Sequence, residues 1–107
     1  MSVKGQLRAC TDFLMVGMKA AERANSEYGQ QLMRACMDHV ELLVRQSENV
    51  KAPEVDATIA LLTKAAAELQ ADEASATAII SALRNAIGRL QALRTELAPP
   101  ANSAPTR

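Results

Sequence analysis

Residues 7–43 read LRACTDFLMVGMKAAERANSEYGQQLMRACMDHVELL, and the apolar spacing of this stretch decides the fold. Steps of about 3.6 residues, the α-helical repeat, land on apolar side chains for roughly ten turns. Only two polar residues, Asn25 and His39, interrupt the series. The stripe contains Leu7, Cys10, Leu14, Met18, Ala21, Asn25, Tyr28, Leu32, Cys36, His39 and Leu43. Such a stripe with charged residues beside it is typical of amphipathic helices.

The composition also favours helices. The chain has 107 residues, of which 49% are hydrophobic and only 2% aromatic, and it is rich in alanine. Alanine is the best helix former, whereas the β-branched and aromatic residues that favour strands are scarce. The sequence therefore predicts one all-α domain.

Charge is balanced over the chain but uneven along it. The chain has 12 basic and 12 acidic residues, so a general attraction to nucleic acid or anionic lipid is not expected. Residues 49–75 contain two basic and five acidic residues, and residues 76–107 contain four basic and one acidic residue. We expect this asymmetry to set the register of neighbouring helices or of a dimer.

The clearest turn lies at residues 47–53. Pro53 suits the first position of the next helix, where its missing N–H costs nothing. Two acidic residues, Glu54 and Asp56, then fall in the first turn, where they complement the helix dipole. Apolar stripes follow at Val55, Ile59, Leu62, Ala66 and Leu69, and at Ile79, Leu83, Ala86, Leu90, Leu93 and Leu97, with Ile80 and Ile87 beside the last.

Two short segments weaken these helices, and they leave two architectures open. Residues 24–29 and 72–75 contain helix-capping residues, and the two segments are placed symmetrically about a fold-back near Lys51. If the helices are continuous, the chain is a long antiparallel helical hairpin that a second copy completes to four helices. We favour this form, because the apolar phase is unbroken and the weak segments look short for turns between antiparallel helices. If they break, as the local propensities favour, the chain forms an up-down four-helix bundle. We predict a helical domain over residues 1–97 and a flexible, disordered Pro-containing tail over residues 98–107.

The sequence predicts no catalytic, cofactor or metal site. Cys36 and His39 share a helix face, but a structural zinc site takes four ligands, and the chain has only one other cysteine, Cys10, and no second histidine. Two cysteines do not make a disulfide framework, and no stretch reads as a signal peptide or a membrane span. We therefore expect a cytoplasmic protein that is not an enzyme.

The stripes themselves are the candidate functional surface. We interpret them as an interface or a core that supports a homodimer or the binding of another protein, with no nucleic acid as partner. The interface candidates are Leu7, Leu14, Met18, Tyr28, Leu32, Cys36, His39, Leu43, Leu83, Ile87, Leu90 and Leu97.

Lys19 to about Ala67 resembles the phasins, small helical proteins that coat polyhydroxyalkanoate granules. The likeness consists of Ala20-Ala21-Glu22, Glu27-Tyr28 and the linker Lys51-Ala52-Pro53-Glu54 between Ala-rich amphipathic helices, although the second helix lacks the phenylalanines common in phasins. The resemblance implies, as an alternative function, an amphipathic coat protein of a hydrophobic granule. A small secretion or assembly chaperone is a further alternative.

Overall fold

Four helices make up the part of the chain that the structure describes. The computed structural model describes residues 2–72 and 76–97, apart from the side chains of residues 70–72. Helix α1 spans Val3–Arg23, α2 spans Glu27–Arg45, α3 spans Ala52–Asp72 and α4 spans Thr77–Leu97, with a short 3-10 turn at Ser47–Asn49. No strand occurs in these ranges, so the all-α prediction is confirmed. Residues 73–75 and the predicted tail, residues 98–107, lie outside the described residues.

The first helical stretch breaks in the weak segment, so the continuous helix of the hairpin alternative does not form. Asn25 adopts a left-handed backbone conformation with φ 54°. The Ser26 N–H donates to the Ala21 carbonyl at 2.9 Å and the Asn25 N–H donates to the Glu22 carbonyl at 3.0 Å, which is a Schellman ending. Ser26 then caps α2, because its Oγ accepts the Gly29 N–H at 2.9 Å. Three residues are therefore enough to reverse the chain.

Helix α3 begins with a capping arrangement. The Lys51 N–H donates to Glu54 Oε1 at 2.8 Å, while the Lys51 carbonyl accepts the Glu54 N–H at 3.0 Å. Pro53 is consequently the second residue of α3 and not the first, as the sequence suggested, but its missing N–H still lies in the unpaired first turn.

The helices alternate in direction and form an up-down-up-down bundle. The start of α1 meets the end of α4, where Gln6 Nε2 donates to a Glu96 carboxylate oxygen at 2.8 Å. The start of α3 meets the end of α4 through the ion pair of Asp56 and Arg94 at 2.7 Å. Helix α1 packs closely against α2 and α4, and α3 packs against α4, whereas α2 and α3 touch only sparsely. The edge between α2 and α3 is thus the most open edge of the bundle.

Candidate interaction surface

Half of the predicted interface residues lie in the core of the bundle. All of them are at most 5% exposed and pack against other helices of the same chain; they are Leu7, Leu14, Cys36, Leu43, Leu83 and Leu90. The other six are more accessible. Met18, Leu32, His39, Ile87 and Leu97 are half-buried, and Tyr28 is 42% exposed.

Helix α2 carries two neighbouring apolar stripes, and the stripe that sequence periodicity selected contains residues of both: Cys36 and Leu43 are in the core, whereas Tyr28, Leu32 and His39 lie beside it. The inner stripe consists of Gly29, Met33, Cys36, Val40 and Leu43, which are all buried. The outer stripe lies one residue earlier and consists of Tyr28, Leu32, Ala35, His39 and Leu42. The turn at Asn25 starts α2 in a new phase, so Met33 and Val40 replace Leu32 and His39 at the centre of the core.

The outer stripe borders the open edge of the bundle. The Tyr28 hydroxyl donates to Glu68 Oε1 on α3 at 2.8 Å, which shows that this side of α2 faces α3. The residues of the outer stripe are spaced by four, three, four and three positions, which is the heptad pattern of a helix–helix seam. Tyr28 and Leu42, at its two ends, are 42% and 52% exposed. Leu42 is absent from the sequence-predicted set, although its position three residues after His39 was a signal for it.

Small side chains on α3 extend this surface. Ala57 and Ala60 are exposed, Leu61 is half-buried, and Lys64 is an exposed charge in the same region of α3. Side chains as small as alanine let another helix approach closely. The outer stripe and these α3 residues together form a largely apolar surface, hereafter the α2–α3 surface, which is bordered by charged residues: Lys64 on α3 and Asp38, Glu41 and Arg45 around Leu42.

The two cysteines are buried thiols with suppressed acidity. Burial raises the pKa of Cys10 to about 12, with a further contribution from the neighbouring Cys36 thiol. Burial also raises the pKa of Cys36 to about 11. A cysteine nucleophile or metal ligand needs a thiolate, which both environments disfavour. The cysteines are therefore suited to packing.

His39 belongs to no metal-binding cluster in the described part of the chain. Within the described ranges, no cluster of three or more histidine, cysteine, aspartate or glutamate side chains is arranged to hold a metal ion. Over the same residues, each helix is too short or too polar to cross a bilayer.

Comparison of the chain with known protein families, curated proteins and solved structures gives no match.

Proposed function

We propose that this protein is a non-enzymatic helical interaction module that self-associates through the α2–α3 surface. The observation that carries the proposal is the outer stripe of α2. This stripe has heptad spacing and ends in two exposed large apolar side chains, Tyr28 and Leu42. A heptad-spaced apolar row selects an α-helix as its partner.

The partner that we propose is a second copy of the chain. Tyr28 and Leu42 lie at equal distances in sequence from Ala35. An antiparallel pair of α2 helices centred on Ala35 therefore sets Tyr28 of each copy beside Leu42 of the other. A two-fold axis makes one exposed surface complementary to itself in this way.

The size of the surface sets the expected strength of association. The stripe extends over about 21 Å at about 1.5 Å per residue. The two α2 helices alone would bury less than the roughly 800 Å² per partner of a standard interface, so α3 must contribute through its alanines. We expect a dimer that dissociates at low micromolar concentration.

Sedimentation of the full chain with Leu42→Glu tests this proposal. The wild type should dimerise at high micromolar concentration, and the variant should be monomeric with unchanged helix content, because a charge at the seam must lose water on association. Val16→Glu is the matched control, since Val16 is exposed on α1, away from this surface. A monomeric wild type, or equal disruption by both substitutions, would contradict the proposal.

The cysteines and the net charge support further parts of the proposal. The suppressed acidity of both thiols supports a role without covalent chemistry, and two unbridged cysteines support a cytoplasmic location. The net charge of zero argues against nucleic acid as the partner. A coat protein that spreads the core stripes of α1 and α2 on a granule would require the bundle to open, because these stripes are buried inside it.

A further inference from the structure

A second surface feature lies at the end of the bundle where α1 begins and α2 ends. A groove of about 490 Å³ separates the first turns of α1 from the end of α2 and the 3-10 turn. Val44 contributes an apolar wall, and Gln46, Ser47 and Asn49 contribute neutral polar side chains. The groove does not include any residue of the α2–α3 surface.

Three cations from two helices line this groove. Lys4 and Arg8 are one turn apart on α1, and Arg45 comes from the last turn of α2. The single carboxylate in the lining is Glu48, so the groove carries a net charge of about +2 from these side chains.

Within this groove Glu48 is the carboxylate that faces the three cations, although Arg8 also borders a neighbouring groove lined by Asp12, Asp38 and Glu41. Among the residues that the structure describes, neither Lys4 nor Arg8 has a carboxylate within ion-pair distance. Arg45 pairs with Glu41 at 3.7 Å, but the two side chains are 70% and 59% exposed. Such an exposed, long ion pair contributes little. Arg45 therefore remains free to turn towards another anion.

We propose that Lys4, Arg8 and Arg45 form a binding site for a small molecule that carries a phosphate group. The two guanidinium groups present paired N–H donors that match phosphate oxygens, and Lys4 adds a compact charge. A phosphate monoester offers three terminal oxygens to the three cations, whereas a carboxylate offers two. The groove exceeds the size of one phosphate ion, so the remainder of the ligand lies along Val44 and the polar side chains of the 3-10 turn.

Titration of the full ¹⁵N-labelled chain with inorganic phosphate tests this site by NMR, with chloride used to hold ionic strength constant. We expect saturable shifts in the amides of residues 4–8 and 45–49 and in the side-chain Nε–H signals of Arg8 and Arg45. Arg8→Gln should weaken phosphate binding by about tenfold or more, because it removes a charge-assisted hydrogen-bond donor. Arg8 is exposed, so this substitution should leave the bundle intact.

Arg34→Gln is the matched control, because it removes the same charge from an exposed position of α2 outside the groove. It should leave phosphate affinity unchanged. Acetate in place of phosphate should shift the same signals less at equal concentration. Linear shifts spread over all arginines, or equal weakening by Arg8→Gln and Arg34→Gln, would overturn the site, and neither result bears on dimerisation.

Discussion

Gly17 on α1 lies close to both α2 and α4. A Cβ atom at this position would lie 2.5 Å from Met33 Cε on α2 and 3.0 Å from Ala82 Cβ on α4. Met33 has a flexible end and can move, but the Ala82 Cβ is fixed to the backbone of its helix. The absence of a side chain at Gly17 therefore sets how closely α1 packs against α4.

Gly17→Ala should destabilise the protein by about 1 kcal/mol, because overpacking costs about 1–3 kcal/mol and the gain in helix propensity offsets part of it. Gly88→Ala is the control, since nothing lies within 4 Å of a Cβ there, and it should stabilise by about 0.5–1 kcal/mol. Urea unfolding of both variants measures the difference. If both substitutions stabilised the protein equally, a Cβ at position 17 would cost no free energy despite the close contact with Ala82.

At the level of single residues, the sequence predicted the core better in α4 than in α2. In α4 the predicted row is the one that the core uses, with Leu83, Leu90 and Leu93 buried, and Ile80 and Ile87 lie half-buried beside it. In α2 two neighbouring rows are apolar, and the choice between them depends on the backbone conformation of Asn25. Apolar periodicity alone cannot make this choice. It shows that both rows have helical spacing, but it does not show which row faces the core once a turn has separated α2 from α1.

The turn at residues 24–26 is the element that divides the hairpin alternative from the bundle. Its capping residues were visible in the sequence, since asparagine tolerates the left-handed region and serine favours the N-cap. What the sequence could not settle was whether these local preferences outweigh the unbroken apolar phase. The uneven charge of the third and fourth helices led us to expect charge pairing between neighbouring helices, and Asp56 on α3 pairs with Arg94 on α4.

Asn25→Ala should destabilise the bundle by about 1 kcal/mol, because a Cβ in the left-handed region costs about 1–2 kcal/mol and asparagine bears this cost more easily than alanine. Asn25→Gly keeps access to this conformation and should be within about 0.5 kcal/mol of the wild type. Thermal unfolding compares the two variants. If glycine proved as destabilising as alanine, backbone conformation would not be the reason for asparagine at this position.

For the molecule as a whole, the buried thiols link stability to alkaline pH. Burial raises the pKa of Cys10 to about 12 and that of Cys36 to about 11, from an ordinary value of 9.0. When folding raises the pKa of an acid, the stability linked to its neutral form is fully present below the unfolded-state pKa. This stability is lost as pH rises towards the folded-state pKa. The stability of the fold should therefore decrease from pH 9 to about pH 11 because of Cys36, and from pH 9 to about pH 12 because of Cys10.

The free energy of unfolding should thus fall by about 3 kcal/mol between about pH 8 and pH 10, as both cysteines ionise in the unfolded chain but not in the bundle. Urea unfolding at several pH values measures this slope. The double variant Cys10→Ala/Cys36→Ala provides the control, and it should lose most of the slope whatever its absolute stability. An unchanged slope in that variant would assign the alkaline sensitivity to other groups.

The left-handed residue at Asn25 also determines which face of α2 is buried. Straightening residues 24–26 into helix would rotate α2 by roughly one residue step, about 100°. The outer stripe would then continue the apolar row of α1, and two copies could exchange their first helices, as in domain swapping. The backbone conformations of Asn25 and Ser26 thus separate a self-contained bundle from an interlocked pair, and the same sequence encodes an apolar face for each.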